Sequence, residues 1–246
     1  GRLHISYNGE VYNHRILRRQ YLADRQLSTN SDTEVVLHLY AKLGPTCVEL
    51  LDGMFVIAMM DDESLFLARD PIGIKPLYLG FSAGLLYFAS ELKALPQEID
   101  RVDIFPPGHW YHSKFGMHRY YQVGHGSQAA ASIPADPVAA QRDVRELLRK
   151  AVLKRLMADV PVGVSLSGGL DSSIVTLLAK EGLEDLHSFA VGVAGSEDLA
   201  AARRVAAFLG SRHHERVYTL EEMLAVLPEV LYYLESCDPA LVRSAL

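Results

Sequence analysis

The stretch Val162-Gly163-Val164-Ser165-Leu166-Ser167-Gly168-Gly169-Leu170-Asp171-Ser172-Ser173 constrains the fold of this chain more than any other. The apolar run from Val160 to Leu166 predicts a buried strand. It breaks at Ser167-Gly168-Gly169 and resumes with helical spacing at Ile174, Leu177 and Leu178. A strand, a glycine turn and a helix start in succession make an anion site. The first N–H groups of the helix lack intrahelical partners, and the helix dipole adds partial positive charge. Gly168 and Gly169 are expected to admit a phosphate where a Cβ would clash. Ser167, Ser172 and Ser173 add hydroxyl donors. The plainer alternative is a tight turn with serine caps.

A lysine-bearing phosphate loop is excluded, because no Lys lies between Lys154 and Lys180. Asp171 stands in its place. A bare carboxylate repels phosphates, so Asp171 makes sense there if it holds Mg²⁺. The stretch resembles the Ser-Gly-Gly-x-Asp-Ser pyrophosphate loop of ATP-pyrophosphatase enzymes. That resemblance implies cleavage of ATP to AMP and pyrophosphate, with adenylation of a carboxylate or carbonyl oxygen.

The 246 residues suffice for one large domain or two smaller ones, and an apolar fraction of 49% supports a packed core. Net charge is −6 without a basic run, so no nucleic-acid surface is indicated. No apolar stretch reaches membrane-spanning length, and no secretory signal is present. The two cysteines, Cys47 and Cys237, form no disulfide framework, which predicts a reducing, cytoplasmic setting. The first residues begin inside a strand pattern, and Asp238 to Leu246 stop inside a helix start. The expectation is a chain trimmed at both ends.

Along the first half, residues 3–7 alternate as a strand that ends at the turn-type sequence Asn8-Gly9-Glu10. A helix is predicted from Asn13 to about Ala23, with Ile16, Leu17 and Leu22 inward. Ser31-Asp32-Thr33-Glu34 carries the spacing of a capping box, ahead of a helix that buries Val35, Val36, Leu39 and Leu43 and stops at Gly44-Pro45. Strands follow at Met54–Met60, Ser64–Ala68, Leu77–Phe81 and Leu85–Ala89. Asp61-Asp62 and Ser82-Ala83-Gly84 read as hairpin turns. Residues 69–78 read as a long, charged connection. His109, His112 and His118 are expected on the surface, and Tyr120-Tyr121 as packing aromatics. Helices followed by antiparallel strands predict an α+β layered domain.

The segments SYNGEVYNH, SDTE, LDGMF, RDPIGIKPLY, FASELKAL and FPPG occur in this order and resemble those of glutamine-hydrolysing asparagine synthetases. With the later Ser-Gly-Gly-Leu-Asp-Ser-Ser, the resemblance spans nearly the whole chain. It implies an N-terminal-nucleophile glutaminase over residues 1–122. Asn8 and Gly9 would form its oxyanion hole, and Glu10 and Asp32 would hold the glutamine α-ammonium. The nucleophilic Cys and a carboxylate-binding Arg would lie before residue 1. Read without the resemblance, Asn8-Gly9 is a hairpin turn and Asp32 a helix cap.

Residues 123–137, rich in Gly, Ser, Ala and His, read as a linker, and residues 138–246 as the second domain. A helix is predicted from Asp136 to Ala158 with Val144, Leu147, Leu148, Ala151, Val152 and Leu156 on its apolar face. Further strands are predicted at His187–Val193 and His213–Tyr218, with helices at Ser196–Gly210 and Thr219–Glu235. Tyr232-Tyr233 are expected to pack. Strand–helix alternation predicts an α/β doubly wound parallel sheet, with ligands at the carboxyl ends of its strands. The resemblance implies that Val164, Ser165 and Val191, next to Gly192, line an adenosine pocket. It also implies that Asp171 and Ser172 engage the pyrophosphate and its Mg²⁺. His213-His214-Glu215 is not expected to chelate, because adjacent strand residues face opposite ways.

The implied activity is Mg²⁺- and ATP-dependent amide synthesis. Aspartate is adenylated and then aminated by ammonia from glutamine. A β-lactam synthetase-like relative or a catalytically silent ATP-binding protein are the alternatives. Small-molecule substrates are the expected partners, and a homodimer is among the assemblies the resemblance allows.

Overall fold

The computed structural model describes residues 2–124, 136–239 and 241–242. The chain separates into two compact units, Gly1–Gln128 and Ala129–Leu246. Of the expected linker, residues 125–135 lie outside the described residues.

The first unit runs β1 (His4–Val11), α1 (His14–Tyr21), α2 (Asp32–Leu43), a 3-10 helix (Gly44–Leu50), β2 (Gly53–Met60), β3 (Leu65–Arg69), β4 (Tyr78–Ser82), β5 (Leu85–Ala89), β6 (Arg101–Ile104), β7 (His109–His112) and β8 (Gly116–Arg119). Antiparallel pairing gives a five-stranded sheet, β1-β2-β3-β7-β8, and a three-stranded sheet, β5-β4-β6. The sequence of β2, Gly-Met-Phe-Val-Ile-Ala-Met-Met, is apolar without alternation because both of its faces are covered. Phe55, Ile57 and Met59 pack with Leu17 of α1 and Val35, Val36 and Leu39 of α2. Val56 and Ala58 pack with Leu67, Leu77, Leu79 and Phe105 on the side of the smaller sheet. The unit is therefore layered as helices, large sheet and small sheet. Burial of each large apolar side chain contributes about 1.5–3 kcal/mol.

Three local expectations are corrected. β1 does not end at Asn8 but runs on to Val11, with Gly9 opposite Phe55. A Cβ on Gly9 would stand 2.2 Å from the Met54 carbonyl oxygen, so glycine here serves close strand approach rather than a turn. In α1, Leu17 is buried but Ile16 is exposed, and His14 turns inward instead, with its Nδ1 3.0 Å from the Val11 carbonyl oxygen. His112 is buried, not on the surface, and burial lowers its pKa.

Ser31 caps α2 by accepting from the Thr33 N–H, as its position predicts. The capping box does not close. Glu34 accepts instead from the Ser28 and Thr29 N–H groups and the Thr29 hydroxyl, and so fastens the preceding loop. Residues 70–77 form the expected long connection between β3 and β4, and the charged side chains of Asp70 and the neighbouring Arg69 turn inward. The Asp70 carboxylate is fully buried and accepts from the N–H groups of Ile72, Ile74 and Lys75. The Arg69 guanidinium donates to the carbonyls of Lys75, Phe105 and Gly73. These charge-assisted bonds offset the cost of burying both side chains.

Cys47 lies in the core of the first unit, and burial pushes its thiol up to about 12. A buried, protonated thiol is a poor nucleophile. Iodoacetamide near neutral pH is expected to label exposed Cys237 and leave Cys47 untouched until the chain unfolds, as peptide mass spectrometry can read. Labelling of both at one rate in the folded protein would refute this. The folded pKa lies above the ordinary 9.0, so the unfolded chain loses this proton first. Cys47 therefore subtracts from stability only as pH rises above that ordinary value.

The second unit runs α3 (Pro137–Arg155), β9 (Gly163–Ser165), α4 (Leu170–Lys180), β10 (His187–Val193), α5 (Glu197–Leu209), β11 (Arg212–Tyr218) and α6 (Leu220–Leu234). Its three strands are parallel, in the order β11-β10-β9, as the strand–helix alternation predicts. The first strand is shorter than its apolar run: Val160 is exposed, and Leu166 is buried just past the strand end. A reciprocal capping box does form at Thr219 and Glu222, where α6 starts.

On β10, Ala190 packs with Leu199, Ala202 and Ala206 of α5. Phe189, Val191 and Val193, on its other face, are exposed. The sheet is thus covered on one face of β10 and open on the other among the described residues. The apolar stripe of α3 does not pack as expected, since Val144 and Leu147 are 63% and 67% exposed. Tyr232 and Tyr233 of α6 are exposed as well. His213 bonds Ser188, and Glu215 pairs with Arg203 of α5, while His214 stacks on Phe189 across the sheet. Adjacent residues of β11 thus face opposite ways, as strand alternation requires.

Candidate functional site

Two groups of predicted residues are brought together, one in each unit. In the first, β1 is the edge strand of the large sheet. Asn8 pairs opposite Val56, and its Nδ2 donates to Ser90 Oγ at 3.0 Å, just past the end of β5. A cleft of about 120 Å³ lies beside this bond, walled by Val56, Ala58, Leu77 and Phe88.

Asp32 is drawn to the same strand. Its Oδ2 accepts from the Tyr7 hydroxyl at 2.9 Å and from the Val11 N–H at 2.8 Å. The Val11 N–H therefore points away from β2, and by antiparallel alternation the Gly9 N–H points to the same free edge. Burial raises the Tyr7 pKa most, followed by the Asp32 charge and then by Glu10, so both carboxylates lie near that hydroxyl. Asn8 and Glu10, two residues apart, share the exposed side of β1.

In the second unit, the Leu166 N–H donates to the Phe189 carbonyl and fixes the chain at the carboxyl end of β9. Gly168 then takes φ +78°. A Cβ there would stand 2.4 Å from Ala202 N and 2.5 Å from Ala201 Cβ. Packing of the turn on α5 thus requires glycine at position 168. Gly169 is the open glycine: an added Cβ would meet only Ser167 Oγ at 3.4 Å. The hydroxyls of Ser167 and Ser172 lie 3.0 Å apart, and Ser167 Oγ accepts from the Gly169 N–H.

Gly169 caps α4 without a side-chain bond, and Asp171 sits exposed in the first turn. Val164 is half-buried, while Ser165 and Val191 are exposed near the carboxyl ends of neighbouring strands. Gly192 is buried, and a Cβ there would crowd Leu199 at 3.0 Å, so it too is a packing glycine. This end of the sheet combines an open turn, helix N–H groups and one carboxylate. Such a set suits a polyphosphate carrying a divalent cation.

The glutamine amidotransferase domain family matches residues 1–119, and the asparagine synthase family matches residues 143–246. Asparagine synthetase [glutamine-hydrolyzing] 3 of Arabidopsis thaliana is 44% identical over 255 residues, covering 98% of this chain and 43% of that protein. The probable asparagine synthetase [glutamine-hydrolyzing] of Schizosaccharomyces pombe is 43% identical over 270 residues, covering 100% of this chain and 48% of that protein.

The chain belongs to the glutamine-hydrolysing asparagine synthetase family.

It spans less than half the length of these curated asparagine synthetases. A solved glutamine phosphoribosylpyrophosphate amidotransferase of B. subtilis is 19% identical, with a TM-score of 0.41 over 87% of this chain and 45% of that one. Family motifs of the asparagine synthetases left three contacts unforeseen: Ser90 on Asn8, Tyr7 on Asp32, and Ala201 and Ala202 against Gly168. Each joins residues far apart in the chain. The only sequence hint was that Ser90 and Tyr7 stand inside the recognised segments FASELKAL and SYNGEVYNH.

Proposed function

We propose that this chain carries the glutaminase site and the ATP site of an enzyme that converts aspartate to asparagine, divided as residues 1–122 and 138–246. The glutaminase part would have the N-terminal-nucleophile fold and the second part the ATP-pyrophosphatase fold. In the first site, Asn8 Nδ2 and the Gly9 N–H meet the oxygen that becomes negative when a thiolate attacks the glutamine amide. Donors held in place before the charge develops lower that barrier. Glu10 and Asp32 hold the substrate ammonium. Asp32 Oδ2 accepts from Tyr7 and Val11, and Oδ1 accepts at 3.5 Å from the Ser31 and Thr33 hydroxyls, which together hold the carboxylate in place. Cys47 does not serve as the nucleophile, because it is buried and protonated.

In the second site, the open turn at Gly169 and the first N–H groups of α4 receive the ATP phosphates. Ser167 and Ser172 orient toward them, and Val164, Ser165 and Val191 border the adenosine. Asp171 would hold Mg²⁺, whose charge draws electron density from the departing pyrophosphate. The aspartate carboxylate oxygen bonds the α-phosphorus as pyrophosphate leaves. Ammonia then attacks the acyl carbon and releases AMP.

The observation that carries this reading is the side-chain-uncapped start of α4, with Asp171 in its first turn and no Lys in the loop. The ring-closing and silent alternatives gain nothing from relatives named asparagine synthetases. Two unpaired thiols fit a cytoplasmic location. No helix among the described residues is long and apolar enough to cross a membrane. The test is product analysis on the protein of the complete reading frame, given aspartate, Mg²⁺ and ATP. AMP and pyrophosphate are expected, and ADP as the nucleotide product would refute the reading.

A further inference from the structure

We propose that Ser90 is a positioning residue that sets the plane of the Asn8 amide for glutamine hydrolysis. The proposal rests on the glutaminase reading above and extends it to a side chain in the other sheet of the unit. Asn8 is held by the β1–β2 ladder, where it pairs with Val56. Ser90 directly follows β5, whose last residue, Ala89, pairs with Tyr78 of β4. The 3.0 Å bond from Asn8 Nδ2 to Ser90 Oγ therefore joins two separately braced elements, 82 residues apart in sequence.

The terminal torsion of an asparagine is broad and roughly two-fold, so the backbone of β1 alone does not fix the direction of its N–H bonds. An acceptor at a fixed point does. Nδ2 carries two hydrogens. Directing one at Ser90 Oγ determines where the other points, and that second N–H is the one available to the oxyanion. Ser6, Tyr7 and Ser90 bring hydroxyls to the adjoining cleft; Asn8 bonds that of Ser90, while the Tyr7 hydroxyl donates to Asp32. Ser90 thus acts through Asn8 and need not touch the substrate. A donor aimed before reaction stabilises charge without reorganisation, so the effect should fall on the transition state rather than on glutamine binding.

The experiment measures glutaminase kcat and KM in the protein of the complete reading frame for Asn8→Ala, Ser90→Ala, Ser90→Thr and the double variant. Ser90→Ala is expected to lower kcat about 3- to 10-fold, as loss of one neutral hydrogen bond does, with KM unchanged. Ser90→Thr keeps the hydroxyl and should keep most of kcat. In the Asn8→Ala background, Ser90→Ala should cost nothing more. Normal kcat in Ser90→Ala beside a crippled Asn8→Ala would overturn the role of Ser90 and leave the glutaminase reading standing. Losses that simply multiply in the double variant would also overturn it. Full activity in Asn8→Ala would overturn the glutaminase reading itself. Should Ser90→Ala fail to fold, Ser90→Cys replaces it: its sulfur is a weak acceptor, and an unchanged kcat there refutes the proposal.

Discussion

Asp171→Asn is expected to cut aspartate-dependent exchange of labelled pyrophosphate into ATP by roughly 10³-fold, while glutamine hydrolysis keeps its rate. The substitution preserves size and place in the first turn of α4 but removes the charge. Its structural cost is small. A carboxylate near a helix N-terminus is worth about 0.3–1 kcal/mol at the surface, so the fold persists. The functional cost is larger, because a metal clamp on developing phosphate charge contributes several kcal/mol to the transition state. Asp171 belongs to the second compact unit, and Asn8 and Asp32 belong to the first. A loss confined to one activity follows from that separation. Equal loss of exchange and hydrolysis would mean that the two units do not house separate sites.

The layers of the first unit were legible in the chain because alternation and helical spacing are local signals. Core positions such as Leu17, Val35, Val36 and Leu39 lie where their periods put them. Errors came where a partner outside the local pattern decided the outcome. Asn8-Gly9 has the composition of a turn, yet β2 extends the strand through it and requires glycine against the Met54 carbonyl. Ser31 to Glu34 has the spacing of a capping box, yet Thr29 and the Ser28 N–H outcompete the cap for Glu34. Gly168 reads as a phosphate glycine, and only the nearness of α5 shows that packing of the turn requires glycine there as well. The apolar residues of α3 announce a helix with a face to bury, but periodicity does not say what lies over that face. The candidate sites follow the same division. Asn8, Glu10, Asp32 and Asp171 could be named from segments, whereas the side chains that orient Asn8 and Asp32 could not.

Asn8→Ala is expected to lower glutaminase kcat roughly 10²–10³-fold with little change in KM. The side chain sits on the exposed side of β1 and takes no part in either core of the first unit, so truncation leaves no cavity there. The stability change should stay near that of the single bond to Ser90, about 1 kcal/mol. On the proposed reading, what disappears is a donor that would meet charge only once the tetrahedral intermediate forms. Substrate affinity should stay with Glu10 and Asp32, which on the proposed reading would meet the ammonium in ground and transition states alike. The amide does not titrate, so the pH profile of kcat/KM should fall in height and keep its shape. Free ammonia should still support synthesis, since the ATP site is untouched. A large KM rise at normal kcat would instead place Asn8 in ground-state binding, with its bond to Ser90 serving the fold alone.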